Sequence, residues 1–94
     1  MNDNLNHTQF NIDSSELVRR AKTEATRDGL IEVYEALCEK GYNPIAQLIG
    51  YLLTEDPTYI TSHKNARKTI VRMDRDEILG MLLRDFLENK NDGV

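Results

Sequence analysis

The stretch KGYNPIAQLIGYLLTEDPTYITSHKNAR, residues 40–67, decides the fold of this 94-residue chain. Gly41 suits the position just past the end of a helix, where glycine adopts a left-handed backbone at little cost. Asn43 and Pro44 predict a new helix start, because Asn accepts hydrogen bonds from free first-turn amides and Pro at the first helical position loses none. Pro57 predicts the end of that helix at about Asp56, since the residue before a proline is pushed out of helical geometry. Between these stops, one apolar stripe recurs at helical spacing: Ile45, Leu48, Ile49, Leu52 and Leu53.

A longer helix is predicted before this stretch. Either Ser14 or Ser15 suits its cap, and apolar residues then recur at three- and four-residue steps as far as residue 40. The region 16–27 carries many charges and little apolar bulk, so we expect only a marginal extension there. Residues 28–40 show the clearer helical spacing of large apolar residues. Gly29, between the two, weakens the helix by about 1 kcal/mol relative to Ala.

Two more helices are predicted after the central one. Residues 58–61 predict an extended connector. Ser62 or Asn65 then suits the cap of a third helix. Asp74, with Glu77 three residues later, resembles a capping box and starts the last helix. The third helix is expected to turn Ala66, Ile70, Val71 and Met73 inward, and the last helix to present a broad apolar face made by Ile78, Leu79, Met81, Leu82, Phe86 and Leu87.

These patterns predict an all-α protein. A small compact domain of about four helices is expected over residues 14–94, behind a polar, flexible N-terminal tail of residues 1–13. The central stripe and the last helix offer more large apolar side chains than four short helices can cover within one chain. We therefore expect a homodimer. Its core or interface is predicted at Ile45, Leu48, Ile49 and Leu52.

The composition favours a soluble, cytoplasmic protein. A formal net charge of −4 argues against a dedicated nucleic-acid binder. The single cysteine, Cys38, rules out an internal disulfide and fits a reducing cytosol. The apolar run from Ile45 to Leu53 is too short to span a membrane and is interrupted by Gln47, so no membrane insertion is expected.

No pattern typical of catalysis or metal binding stands out, and no cofactor is expected. His7 and His63 have no second ligand at helical spacing, which favours solvated side chains over a metal site. Cys38 stands between Glu39 and an apolar face, which favours a packed or half-packed thiol over a nucleophile. We therefore expect a protein that is not an enzyme. A small hydrolase would have only scattered histidines and carboxylates to use.

A basic segment stands out in this acidic chain. Helical spacing places Lys64, Arg67, Lys68 and Arg72 along one side of the third helix. Three interpretations are open. The side is a face that is either solvated or paired with the acidic first helix, an anion- or phosphate-binding face, or a basic helix that binds nucleic acid as in a helix-turn-helix protein. The net charge and the lack of a second basic element disfavour the last, which stays as the alternative function.

Several motifs together resemble the IreB family of small bacterial regulatory phosphoproteins. They are GYNPxxQ at residues 41–47, GYLL and DPxY within residues 50–59, NAR at 65–67 and RDEI at 75–78, and the resemblance covers roughly residues 29–87. It implies a non-catalytic regulator that a transmembrane Ser/Thr kinase phosphorylates on a tail threonine during cell-envelope stress signalling. The matching position is Thr8, while Thr23 and Thr26 lie in a segment that matches less well. The implied partners are the kinase, its phosphatase and an unknown downstream protein.

A phosphate on Thr8 would bring a charge near −2 and three strong acceptor oxygens. We expect the side formed by Lys64, Arg67, Lys68 and Arg72 to receive it, within a protomer or across a dimer, because arginine binds phosphate through two parallel hydrogen bonds. The competing outcome is that another protein reads the phosphate directly.

Overall fold

The computed structural model describes residues 13–89, and within that range the regular elements are all helical. Four α-helices follow one another: α1 (Ser14–Glu39), α2 (Pro44–Thr54), α3 (Ala66–Val71) and α4 (Arg75–Glu88). Two short 3-10 turns, Pro57–Tyr59 and His63–Asn65, connect α2 to α3. The prediction of an all-α fold with about four helices is confirmed. The predicted tail lies outside the described residues except for Asp13.

The start of α1 uses a different cap from the two serines predicted. The Asp13 carboxylate accepts a hydrogen bond from the Glu16 amide at 2.9 Å and another from the Ser15 hydroxyl at 2.8 Å. The backbone bond, followed by the Ser15 bond, holds the pKa of Asp13 below its ordinary value of 3.8. Asp13 is therefore the N-cap, and Ser14 is already the first helical residue.

The charged first half of α1, predicted as a marginal extension, is docked onto α4. Lys22 Nζ lies 2.8 Å from Glu77 Oε2. Arg27 binds the Asp85 carboxylate through both terminal nitrogens, at 2.7 and 3.1 Å. Thr26, between these two ion pairs, is buried. Charged residues of a kind typical of a solvated helix surface thus form ion pairs that hold α1 against α4.

The boundaries of α2 lie where local chemistry predicts them. Gly41 has φ +83°, so a side chain at this left-handed position would be strained. Asn43 Oδ1 accepts from the Ala46 amide at 3.1 Å, and Pro44 occupies the first turn. The helix ends at Thr54, two residues before Asp56, and Glu55 takes a left-handed conformation with φ 59°.

The connection from α2 to α3 is not the extended segment predicted. Residues 57–59 form a 3-10 turn, and the following Ile60 is extended, with its side chain fully buried. Neither Ser62 nor Asn65 caps α3 through its side chain. Lys64 and Asn65 are both left-handed instead, at φ 52° and 61°. Two consecutive left-handed residues turn the chain sharply into α3.

The core lies where α1, α2 and α3 meet, with α4 closing one side. Ala66 and Ile70, two of the residues of α3 predicted to face inward, are buried. The prediction for Val71 is wrong, because its side chain is 51% exposed. On α4 the core-facing residues are Ile78 and Met81. The buried apolar side chains are Val33, Ala36, Leu37, Leu48, Tyr51, Ile60, Ala66, Ile70, Ile78 and Met81.

Gly29 has a packing role in the middle of α1. A Cβ at this position would meet Met73 Sδ at 3.0 Å and Thr69 Cγ2 at 3.3 Å. The missing side chain therefore lets the end of α3 approach α1 closely. This closeness offsets the propensity cost that glycine brings to a helix interior.

Candidate interaction surfaces

An apolar groove crosses the surface where three helices meet. It measures about 260 Å³ and is lined by aliphatic side chains and one tyrosine. We call it the apolar groove, and its lining residues are Leu30 and Tyr34 of α1, Ile45, Leu48, Ile49 and Leu52 of α2, and Leu82 of α4. The sequence placed four of these residues, Ile45, Leu48, Ile49 and Leu52, at a core or interface. Leu48 is 8% exposed and belongs to the core, whereas Ile45 and Ile49 keep more than half of their surface in solvent.

The outer side of α4 extends this apolar surface. Leu82 lines the groove, and Leu79 and Phe86 follow it on the same side of the helix at three- and four-residue steps. Phe86 is 79% exposed. Leu83 and Leu87 are also exposed, so most of the apolar face predicted for the last helix does not reach the core. An uncovered apolar surface of this kind marks a protein–protein contact more often than a solvated face.

The predicted basic face is divided between cations that contact oxygen atoms of the chain and cations that form no ion pair among residues 13–89. Lys64 Nζ lies 3.1 Å from a Glu39 carboxylate oxygen, and Arg67 Nε donates to the Ile60 carbonyl at 2.8 Å. Lys68 and Arg72 are exposed and form no ion pair within the described part of the chain. The interpretation of ion pairing with the acidic first helix therefore holds for Lys64. Lys68 and Arg72 are the members that remain available to an anion.

His63 also contacts Glu39. Its Nε2 lies 2.8 Å from Glu39 Oε1, while Lys64 approaches the other carboxylate oxygen. The bond to His63, followed by the bond to Lys64, lowers the pKa of Glu39 below its ordinary value of 4.5. These contacts tie the left-handed turn before α3 to the end of α1. Sequence spacing gives no signal for them, because the residues lie 24 and 25 positions apart.

A second concave region, the α1–α4 cleft, lies between the first half of α1 and α4. Its inner part measures about 180 Å³. Three cations line it: Arg19 and Lys22 from α1, and Arg84 from α4. Thr23, Thr26 and Glu77 complete the inner wall, and Glu16, Arg20 and Glu24 lie at the outer rim. Local sequence patterns give no signal for this region, because its cations come from the first and the last helix.

The remaining predictions concern the cysteine, metal binding, membrane insertion and the N-terminal residues. Cys38 is a free, exposed thiol, which corrects the prediction of a packed side chain. Within residues 13–89 no group of three or more His, Cys, Asp or Glu side chains could hold a metal ion. The same residues contain no helix both long and apolar enough to cross a membrane. Thr8 and His7 lie outside the described residues.

The fold and these surfaces define a class of protein: a small protein whose described residues are all-helical and leave apolar and charged surfaces exposed. The chain belongs to the IreB regulatory phosphoprotein family, whose model matches residues 9–88. The resemblance drawn from the motifs is therefore confirmed, and the match begins one residue after Thr8.

Curated relatives agree with this assignment. A UPF0297 protein of Ruminiclostridium cellulolyticum is 50% identical over 74 residues, which cover 79% of this chain and 84% of the relative. A UPF0297 protein of Acetivibrio thermocellus is 52% identical over 71 residues, which cover 76% of this chain and 79% of the relative.

Proposed function

We propose that this protein is a non-catalytic regulatory phosphoprotein that works as a cytoplasmic homodimer. In this proposal a transmembrane Ser/Thr kinase phosphorylates Thr8, a phosphatase reverses the modification, and a downstream protein reads the result in cell-envelope stress signalling. Membership of the regulatory phosphoprotein family is the observation that carries the proposal.

Four threonines of the helical body have hydroxyl groups that are either hydrogen-bonded or buried, which supports Thr8 as the acceptor. Thr23 and Thr54 lie within helices, and each hydroxyl donates to the carbonyl one turn earlier, at 3.0 and 2.7 Å. Thr26 is 5% exposed. Thr58 is exposed, but its hydroxyl donates to the neighbouring Asp56 carboxylate at 2.8 Å. Thr8 precedes α1 in the sequence, and tail segments are the usual targets of regulatory phosphorylation.

The apolar groove and the outer side of α4 support the homodimer. In a two-fold symmetric dimer the same patch serves both protomers, so one uncovered surface per chain is sufficient. Side chains such as Ile45 and Ile49 keep about half of their surface in water, so leaving them uncovered forfeits roughly half of the 1.5–3 kcal/mol that full burial of each is worth. A second copy supplies an equally apolar surface without a further partner.

The alternative of a nucleic-acid-binding regulator draws less support from α3. That helix has six residues, so it is about 9 Å long. Lys64 and Arg67 hold the loop and α1 in place, which leaves two exposed cations for a backbone that rewards many phosphate contacts. We therefore propose the regulatory phosphoprotein as the function and not the nucleic-acid-binding regulator.

Phosphotransfer to the full chain tests the proposal. The kinase domain of a transmembrane Ser/Thr kinase from the producing bacterium is incubated with ATP and the wild-type protein, Thr8→Ala or Thr58→Ala. Thr58 is the matched control because it is the exposed threonine of a turn. We expect Thr8→Ala to abolish incorporation and Thr58→Ala to leave it unchanged. Undiminished incorporation into Thr8→Ala would refute Thr8 as the acceptor.

A further inference from the structure

The helical start at Ser14 limits where a phosphate on Thr8 can bind within its own protomer. Five residue steps separate Thr8 from Asp13, and an extended chain covers at most about 3.3–3.6 Å per residue, so the tether spans no more than about 18 Å. A helix rises about 1.5 Å per residue, so Arg19 lies about 9 Å along α1 from Asp13, Lys22 about 14 Å and Glu39 about 39 Å.

This limit separates the two basic regions of the molecule. Lys64 contacts Glu39 and is therefore beyond the reach of Thr8 in the same protomer. Arg72 lines a shallow cavity together with Lys22 and Ala25, which places it near the limit. The α1–α4 cleft lies well inside it. Of the basic regions that the structure describes, the cleft is the one that a short tether reaches with least extension.

The cleft has donors suited to a phosphate. Arg19 contacts Glu16 through Nη2 alone, at 2.7 Å to both carboxylate oxygens, so its Nη1 and Nε remain for a second anion. Arg84 forms no ion pair with a carboxylate in the described part of the chain, and its guanidinium lies along α4 beside Gly80. Thr26 is 5% exposed, and its hydroxyl has no hydrogen-bond partner among residues 13–89. Arginine binds phosphate through paired hydrogen bonds, and a buried hydroxyl without a partner favours a ligand that supplies one.

Three carboxylates share the region and limit its affinity for ordinary anions. Glu77 pairs with Lys22, Glu16 pairs with Arg19 and Arg20, and Glu24 lies at the rim. The cations of the two cavities exceed these carboxylates by one, since Arg19, Arg20, Lys22 and Arg84 make four. A monovalent anion in solution therefore has little favourable binding free energy at this site. A tethered dianion binds more strongly, because it carries twice the charge and is held at a high effective concentration.

We propose that the α1–α4 cleft receives the phosphate of phosphorylated Thr8 from the same protomer, with Arg19 and Arg84 as the principal ligands and Lys22 as a supporting cation. Docking then places a charged tail segment across the contact between α1 and α4, so phosphorylation changes the surface offered at this end of the molecule. The proposal rests on Thr8 as the phosphorylated residue. It differs from the sequence-based expectation in the receiving residues: the face at Lys68 and Arg72 is left to a phosphate from another protomer or another protein.

The second pKa of the phosphate, followed by phosphorus NMR, reports the docking directly. The sample is the full chain with phosphothreonine installed at position 8 by genetic encoding, which makes the result independent of any kinase. Nearby guanidinium groups favour the dianion, so docking lowers this pKa from its ordinary value of about 6 by about one unit. Because the contact is intramolecular, the lowered pKa should persist on dilution.

Two matched double variants locate the site. Arg19→Gln with Arg84→Gln should return the phosphate pKa to about 6, whereas Lys68→Gln with Arg72→Gln removes the same charge and should leave it low. Circular dichroism and the unfolding midpoint verify that both variants are folded. The reverse pattern, an ordinary pKa in the wild-type protein, or a shift that disappears on dilution would each overturn the proposal. Absence of phosphate on Thr8 in cells would refute the proposed function but would leave this binding result in place.

Discussion

If the proposed homodimer forms through the apolar groove, replacing Ile49 by Asp should dissociate it without unfolding the protomer. Ile49 lines the apolar groove, yet it is 51% exposed in the isolated chain. An Asp side chain can therefore face water in the monomer. In the dimer it would be forced into an apolar interface, where an unpaired carboxylate is costly.

The magnitude follows from the exposed half of the side chain. Full burial of an isoleucine is worth roughly 1.5–3 kcal/mol, so covering the remaining half contributes about 1 kcal/mol for each copy. Two-fold symmetry places two copies in the interface, and losing about 2 kcal/mol raises the dissociation constant about 30-fold. This value is a lower bound, because the buried carboxylates add their desolvation cost.

Analytical ultracentrifugation over a concentration series measures the dissociation constant, and circular dichroism verifies the fold. Val71→Asp is the control, since Val71 is also 51% exposed but lies on α3 and does not line the groove. We expect Val71→Asp to dimerise like the wild-type protein. Equal dissociation constants for the Ile49→Asp, Val71→Asp and wild-type proteins would refute the groove as the interface.

Other substitutions test the packing and the ion pairs. Leu48→Asp should abolish the helical circular-dichroism signal at any concentration, because Leu48 is 8% exposed and belongs to the core; a folded monomer would contradict this. Gly50→Ala should destabilise the protein in urea unfolding by about 1–3 kcal/mol, because a Cβ there would overlap the Tyr59 ring. Gly80→Ala should stabilise it by about 0.5–1 kcal/mol, because the nearest atoms to a Cβ there belong to the flexible end of Arg84. Equal effects would contradict the close ring contact. The ion pair with α1 lowers the pKa of Asp85 below its ordinary 3.8, so its stabilisation is present above that pH and is lost as pH falls through the lower folded value. Asp85→Asn should therefore lower the urea midpoint at pH 7 and have less effect near pH 3; an equal loss at both pH values would argue against the ion pair.

Local signals explain why α2 could be predicted closely. The left-handed Gly41, the cap at Asn43 and the proline that follows it each act within a few residues of the helix end. Their physical effects do not depend on the rest of the fold. The same holds for the apolar spacing that indicated four helices.

The docked first half of α1 could not be predicted from local pattern. Arg27 and Asp85 lie 58 positions apart, and neither residue carries a signal that names the other. A charged helical segment without apolar bulk is typical of a marginal helix, and here the stabilising partners come from α4. The α1–α4 cleft could not be predicted for the same reason, because only the tertiary fold brings Arg19 and Arg84 to the same cavity.

The inward or outward direction of apolar residues was also only partly predictable. The face of α4 spans more than half of its circumference, and only the side carrying Ile78 and Met81 meets the core. The prediction for Val71 was wrong for a similar reason, because α3 is short and packs through Ala66 and Ile70, with Thr69 against Gly29 of α1, which leaves Val71 exposed. Periodicity identifies an apolar face, but the crossing of neighbouring helices decides which part of it is covered.

Mass spectrometry of the intact protein and its fragments, purified from its native cells, tests the central claim most directly. The account predicts a species heavier by one phosphoryl group, with the added mass confined to fragments that contain Thr8, and a larger share of that species after cell-wall damage. A protein without phosphate under both conditions, or phosphate located on a threonine of the helical body such as Thr58, would contradict it.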